Sequence, residues 1–346
     1  MRITHLLPFA GLGGVERTVL NLCIADCSNT HSVLATRPGP IIREFNRHKI
    51  DVEFIPKALT SPTLGLPYTA MLSSCDVLHV HTLWGQILRK AEYISNTMRI
   101  PSIVTIHGRW VSPRVSCPVV CVSPSVAESQ LIGNSVDFIY NGVNTREFAF
   151  SPARHTSNPV IVRCCRPDRS SPLFWKAASL ILEKQLHAQL WIIGEVGLSS
   201  QQIRFLGERR DVANLLKLAD IFAYAPFPGV GAHDNCILEA MAVGLPVVAT
   251  DVCGVRESVL DGRTGYLISP DDIEGFVEAV CRFVESQELR YTFGQNARNH
   301  ITCNYDIDLI LSQYLKIYMR ASILKITPGP QPFYTSVEQF MNSPHP

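Results

Sequence analysis

The 346-residue chain is 46% apolar and 18% charged, which argues against intrinsic disorder and gives length for about two domains. Thirty-one basic residues against 30 acids leave a net charge of +1, which argues against a general nucleic-acid binder. No apolar run approaches the ~18 residues of a membrane helix, and the N-terminus MRITHLLPFAGLGGVE, broken by Pro8, glycines and Glu16, reads poorly as a signal peptide, so a cytoplasmic protein is expected.

Short apolar runs rich in valine and isoleucine alternate with helical patterns. Strands are expected at Arg2 to Leu7, His31 to Thr36, Val52 to Ile55, Val77 to His81, Ser102 to His107 and Val119 to Val122. Helices are expected at Val15 to Ala25, Ile41 to His48, Gly85 to Asn96 and Ser123 to Leu131. Near-continuous apolar strands separated by helices predict a parallel sheet covered on both faces. Ile139 to Pro159 holds no long periodic element and carries turn signals.

The pattern then restarts. Strands are expected at Val160 to Arg163, Leu190 to Ile193, Ile203 to Leu206, Ile221 to Tyr224, Pro246 to Thr250 and Gly265 to Ile268. Helices are expected at Phe174 to Lys184, Val212 to Leu218, Asn235 to Val243, Asp271 to Val284, Glu288 to Asn299 and Ile307 to Met319. The chain therefore reads as α/β, with two doubly wound, Rossmann-like domains at 1–151 and 152–305 and the boundary near Pro152. A closing segment, 306–326, is expected to pack back on the first domain, and a tail from 327 to 346 with five prolines is expected to be poorly ordered. In such sheets ligands bind outside the carboxyl ends of the strands, so the loops there are where chemistry is sought.

The most informative segment is PFPGVGAHDNCILEAMAVGLPVVATDVCGVRE, Pro226 to Glu257. Gly229 and Gly231 follow a strand, and His233, Asp234 and Asn235 lead into a helix that Asp234 or Asn235 is able to cap. A glycine-bearing loop at a helix N-terminus offers N–H groups and positive dipole to an anion, for which diphosphate is the natural ligand. Glu239, about one turn inside the helix, suits a ribose diol. The 11 cysteines include no C-x-x-C pair, and Cys23/Cys27 and Cys117/Cys121 lack a histidine at zinc-finger spacing, so buried free thiols are expected. No carboxylate pair suggests a metal site; Asp306 and Asp308 read as solvated capping acids. His79 and His81 are expected to divide between the two faces of their strand, at most one pointing to a given side.

EAMAVGLPVVA, Glu239 to Ala249, resembles the core signature of family 4 glycosyltransferases, enzymes of the GT-B architecture. GGVE from Gly13 resembles the family's N-terminal glycine loop. DVLHVH ending at His81 and VTIHG ending at Gly108 resemble its strand-end histidine motifs. VSPS from Val122 and YNGVNTREF from Tyr140 resemble the entry to its interdomain linker, and FLGE from Phe205 and LADIF from Leu218 its nucleotide half. These run in the family's order over about residues 1–300.

The resemblance implies GT-B architecture, with the two domains facing a central cleft. It implies transfer from a nucleoside diphosphate sugar, a UDP- or GDP-sugar, to a glycan or lipid-linked acceptor, with retention of configuration and no metal or other cofactor. It places Gly13, Gly14, Leu206, Gly231, His233, Asp234, Asn235 and Glu239 at bound nucleotide sugar or acceptor, and His107 near the anomeric carbon. A basic pair would stabilise the leaving diphosphate. In RCCRPDRSS, Arg163 to Ser171, that pair is assigned to Arg166 and Arg169, because the position where the family has lysine is Ser171; Lys176 is the next cation along.

A second departure is Gly231, which stands where the family carries a glutamate for donor-sugar hydroxyls; His233 or Asp234 are the candidates to substitute. The first domain holds 13 basic against 10 acidic residues before Pro152. Arg43, Arg47, Lys49, Arg89, Lys90, Arg99, Arg109 and Arg114 are candidates for a basic face toward an anionic acceptor or the inner face of the cell membrane. Gly231 and Ser171 also keep open a catalytically weak binding or partner subunit on the same fold, and a sugar-nucleotide epimerase is a further alternative.

Overall fold

The computed structural model describes residues 1–54, 71–82, 85–108, 117–128, 136–166, 169, 171–227 and 233–323. The proline-bearing tail, Gly229 and Gly231 lie outside the described residues. The chain divides into two compact units, Met1–Ile139 with the chain from Leu311 on, and Tyr140–Ile310.

The first unit is built on seven parallel strands: β1 Arg2–Leu7, β2 Thr30–Ala35, β3 Asp51–Phe54, β4 Val77–Thr82, β5 Ser102–Ile106, β6 Val119–Cys121 and β7 Val136–Phe138. Their order is β3-β2-β1-β4-β5-β6-β7. Among the described residues, helices α1 Gly14–Ala25, α2 Ile42–Arg47, α3 Gly85–Met98 and α4 Pro124–Glu128 lie in the connections β1–β2, β2–β3, β4–β5 and β6–β7. Every residue of β4 and β5 is buried, as a sheet covered on both faces requires. That burial includes His79 and His81. Two residues apart on a strand, they share one face rather than dividing between two, and their ring centroids are 3.9 Å apart.

The second unit carries six parallel strands: β8 Val160–Cys164, β9 Gln189–Ile193, β10 Ile203–Gly207, β11 Ile221–Tyr224, β12 Val247–Thr250 and β13 Gly265–Ile268. The order is β10-β9-β8-β11-β12-β13. Helices α5 Pro172–Lys184, α6 Val212–Lys217, α7 Asn235–Val243, α8 Cys253–Ser258, α9 Ile273–Glu285 and α10 Gln287–Asn304 flank it, and α11 Ile307–Ile323 leads back into the first unit. Each sheet reverses its winding once, at β1 between β2 and β4 and at β8 between β9 and β11.

Helix α7 shows how local sequence sets an element. Ile237, Leu238 and Ala240 to Val243 bury its apolar face. Gly244, at φ 95°, stops it in the left-handed conformation that an L side chain resists. The Leu245 N–H returns to the Ala240 carbonyl at 3.0 Å, and the next residues enter β12.

Two elements escaped the sequence reading. β7 is a three-residue strand at the sheet edge with Asp137 and Phe138 exposed, too short for a period to register. α8 is six residues long and contains a glycine. The units divide at Tyr140, where the sequence reading set the boundary near Pro152. The intervening residues are tied to the second unit: Asn141 to His233, Val143 to Asp306, and the carbonyls of Thr145 and Phe148 to the Arg298 guanidinium. No described helix is long and apolar enough to cross a membrane.

Candidate active site

The loop after β8 and the loop after β11 meet at the winding reversal of the second unit. Two backbone hydrogen bonds tie them: Ser171 N–H to the Ala225 carbonyl at 3.0 Å and Phe227 N–H to the Arg169 carbonyl at 3.3 Å. Arg169 N–H also donates to the Arg166 carbonyl at 3.1 Å, so both arginines stand on one tight turn. Arg166 is exposed and Arg169 half-buried. Ser171, buried, is the N-cap of α5, and Lys176 is exposed on that helix.

The turn reaches the entry of α7. Asp234 is its N-cap and accepts a hydrogen bond from the Tyr224 hydroxyl at 3.1 Å. Burial pushes the Asp234 carboxyl up, while the Arg169 charge and the Tyr224 hydrogen bond hold it back. Asn235 is the first residue of α7. Glu239, one turn further, is half-buried, and its charge helps burial push the Cys164 and Cys236 thiols up. Those thiols are therefore protonated and are not nucleophiles. Arg169, Asp234 and Glu239 are thus brought to one end of the sheet, beside the β8–β11 crevice.

Gly194, after β9, completes the floor. It sits at φ 92°, and a Cβ there would stand 2.6 Å from the Cys165 carbonyl oxygen, so β9's exit is pressed against the turn that carries the arginines. Inside the sheet, the buried Arg163 donates to Glu195 at 2.9 Å and lies over the rings of Phe174 and Trp175. Leu206, in β10, is half-buried and packs against the apolar core.

His233 is only 3% exposed. Its ring lies 4.8 Å from Tyr140 and 5.2 Å from Tyr305, its Nδ1 accepts the Asn141 N–H at 3.3 Å, and its carbonyl accepts from the Asn141 side chain at 2.7 Å. Burial pushes the ring down to about 3, so it is neutral and offers a phosphate no charge. With Nδ1 accepting, the proton is on Nε2, which has no partner among the described residues.

In the first unit Gly13 caps α1 and Gly14 opens it. Glu16, buried at the third helical position, folds back so that a Cβ on Gly13 would stand 2.6 Å from its Oε2. The positive end of α1 already faces a carboxylate, which favours a hydroxyl over a diphosphate beside these glycines. His107 directly follows β5, 7% exposed, and its Nε2 lies 3.0 Å from His81 Nδ1.

Among the described residues, metal-ligand proximity occurs only at His5, Cys23 and His31 and at His5, His79 and His81. The acids Asp306 and Asp308 are engaged by Thr145 and by the Arg146 guanidinium. On the basic face, Arg43, Lys49 and Arg99 are exposed and Arg47 pairs with Glu44; the side chains of Arg89, Lys90, Arg109 and Arg114 lie outside the description.

Sequence reading missed Tyr224, Asn141, His5 and His31. For the histidines a signal existed: each stands directly or two residues before a buried apolar run, Leu6–Leu7 and Val33–Ala35, inside a strand.

Comparison with known proteins follows the same lines. Residues 159–286 match the family described as glycosyl transferases group 1. The chain is 32% identical over 117 residues to the N-acetyl-alpha-D-glucosaminyl L-malate synthase of Bacillus anthracis, covering 34% of this chain and 30% of that protein. It is 25% identical over 212 residues to the phosphatidyl-myo-inositol mannosyltransferase of Mycolicibacterium smegmatis, covering 56% of this chain and 54% of that one. These matches therefore span from under a third to about half of the relatives' length. Among solved structures, Anabaena HepE in complex with UDP-glucose superposes with a TM-score of 0.76 at 19% identity, over 92% of this chain and 100% of that one. WaaG, a glycosyltransferase involved in lipopolysaccharide biosynthesis, gives 0.62 at 13% identity, over 92% and 99%. The fold is shared.

Proposed function

We propose, from the match of residues 159–286 to the family described as glycosyl transferases group 1, that this GT-B protein moves a hexose from a nucleoside diphosphate sugar to a glycan or lipid-linked acceptor. The observation that carries the proposal is the fastening of the Arg166–Arg169 turn to the end of β11, at the winding reversal of the second sheet, with the Arg169 charge acting on Asp234 at the N-terminus of α7. That is where doubly wound sheets bind nucleotides. Guanidinium groups and helix N–H groups are both suited to a diphosphate.

In this reading the diphosphate lies at the α7 N-terminus and Glu239 accepts from the ribose hydroxyls. As the glycosidic C–O bond breaks, negative charge grows on the β-phosphate, and Arg166 and Arg169 stabilise it. His233 contributes a neutral Nε2–H. The first unit holds the acceptor, with Gly13 and Gly14 allowing close approach and His107 hydrogen-bonding a sugar hydroxyl. Transfer proceeds with retention. A UDP-sugar is the first donor to try, because the Anabaena structures hold UDP and UDP-glucose; a GDP-sugar is the second. The exposed Arg43, Lys49 and Arg99 suit an anionic acceptor or a peripheral membrane contact.

A second reading, a catalytically weak subunit on this fold, is favoured by Ser171: where the family places lysine, this chain has a buried N-cap. Slow release of nucleoside diphosphate from the donor in the absence of acceptor separates the two, since only a live site hydrolyses its donor.

Glu239→Ala is expected to weaken nucleoside diphosphate binding by at least about tenfold without unfolding the protein. Charge-assisted hydrogen bonds to two hydroxyls are worth about 1.5–3 kcal/mol each. Calorimetric titration of both forms decides it, and equal affinities would remove Glu239 from the ribose. EDTA is expected to leave turnover intact, because the arginine pair stands in the place of a cation. Activity lost to chelation and restored by magnesium or manganese would contradict this.

A further inference from the structure

We propose that Asp26 sets the proton positions along a chain of four imidazoles, His31, His5, His81 and His107, and so holds His107 with its proton on Nε2 and a bare lone pair on Nδ1. The chain crosses four neighbouring strands. Asp26 Oδ2 lies 3.1 Å from His31 Nε2, an ion-pair distance whose alignment falls short of a hydrogen bond. His31 Nδ1 lies 3.0 Å from His5 Nε2, His5 Nδ1 3.0 Å from His81 Nε2, and His81 Nδ1 3.0 Å from His107 Nε2. All four rings are buried, with at most 8% exposed.

Proton counting fixes the direction. Burial keeps the rings neutral, pushing His107 down to about 3 and lowering the other three, so each ring carries one N–H. Four protons serve three ring–ring contacts, and one is left for an end of the chain. At the His31 end stands a carboxylate. Burial pushes Asp26 up, but hydrogen bonds from Asn29 and Ser28 and the neighbouring His31 outweigh it and hold it below its ordinary value, hence charged. A charged carboxylate this close repels a ring lone pair and attracts an N–H, so His31 carries its proton on Nε2. His31 Nδ1 must then accept from His5 Nε2, His5 Nδ1 from His81 Nε2, and His81 Nδ1 from His107 Nε2.

The same cluster has the composition of a metal site, but the geometry favours hydrogen bonds. Tetrahedral ligands about 2.05 Å from zinc stand roughly 3.3 Å apart, whereas the three ring contacts are at 3.0 Å, the ordinary N–H···N range. His79 is occupied by the hydroxyls of Tyr318 at 2.8 Å and Thr105 at 2.7 Å. Asp26, His31, His5 and His81 are thus positioning residues. The use of the Nδ1 lone pair, to accept from a sugar hydroxyl, rests on the glycosyltransferase reading; the tautomer does not.

The test is long-range proton–nitrogen correlation NMR on the full chain with nitrogen-15 histidine at pH 7.5. All four rings are expected as the Nε2–H tautomer. His5→Phe leaves the Asp26 turn intact and cuts the chain, so His107 is expected to become a mixture of tautomers; Asp26→Ala should do the same from the other end. His107 found as Nδ1–H in the wild type, or unchanged in a folded His5→Phe, overturns the proposal. So does zinc sulfate if it shifts these resonances stoichiometrically and raises Tm, which would make the cluster a metal site. In an active preparation, His5→Phe should lower turnover roughly twofold, by the lost fraction of competent tautomer, with donor affinity unchanged. A wild type that shows the tautomers but no transfer would remove the functional reading alone.

Discussion

Arg166→Ala and Arg169→Ala are each expected to lower turnover by about a hundred- to a thousandfold, with a smaller rise in the donor's Kd. Both arginines stand on the turn that two backbone bonds fasten to the end of β11, and the charge of Arg169 is felt by Asp234 at the entry of α7. Ground-state diphosphate is already anionic, so some binding must be lost with either residue. The additional charge on the β-phosphate exists only in the transition state, so the loss of turnover exceeds the loss of binding. Removing one donor of this kind costs about 2.7–4 kcal/mol in other enzymes. Arg169→Lys should recover part of the loss, because it retains the charge without the bidentate geometry. Single-turnover kinetics with donor-binding titrations separate the two quantities. If Arg169→Ala keeps normal turnover while Lys176→Ala loses it, the second cation is the exposed lysine on α5.

The first unit is expected to lose about 5 kcal/mol of stability between pH 7 and pH 5.5. His5, His79, His81 and His107 are buried in it as neutral rings, each driven down chiefly by burial, His107 to about 3 and the others well below the ordinary value. Unfolded, each titrates near 6.5. As pH falls below that value the unfolded chain takes up protons that the folded chain cannot, so stability falls with pH. At pH 5.5 the cost relative to pH 7 is about 1.3 kcal/mol for each ring, on the order of 5 kcal/mol for the four. That is comparable with the whole stability of a domain, about 5–15 kcal/mol. His31 is left out of the sum because Asp26 opposes its shift. Urea unfolding followed by hydrogen exchange across a pH series should show the first unit failing first, with about four protons taken up on unfolding. Stability independent of pH down to 5 would contradict the burial of neutral rings.

How much of this was legible in the sequence differs between the scaffold and the site. The parallel sheets were readable because buried strands such as VIVRC and VVAT carry no alternation, and α7 because Gly244 stops it at a definite residue. The edge strand Val136–Phe138 and the glycine-bearing α8 were not, since each is too short for periodicity to outweigh local composition. At the site, the placement of Arg166 and Arg169 after a strand and of Glu239 one turn inside the glycine-stopped helix α7 was visible. The tie between Arg169 and Phe227 was not, because it joins backbone atoms 58 residues apart. His79 and His81 were misassigned to opposite faces, although the two-residue period of a strand puts them together. The imidazole chain needed the order β2-β1-β4-β5, which depends on crossovers that a pattern of residues does not specify.

Release of nucleoside diphosphate from a panel of UDP- and GDP-hexoses, with EDTA present and no acceptor added, tests the central claim most directly. Slow release from at least one donor, lost in Arg166→Ala and Arg169→Ala and weakened in affinity by Glu239→Ala, is the result this account predicts. No release and no binding of any nucleoside diphosphate or donor at millimolar concentration, from a chain shown to be folded, would contradict it.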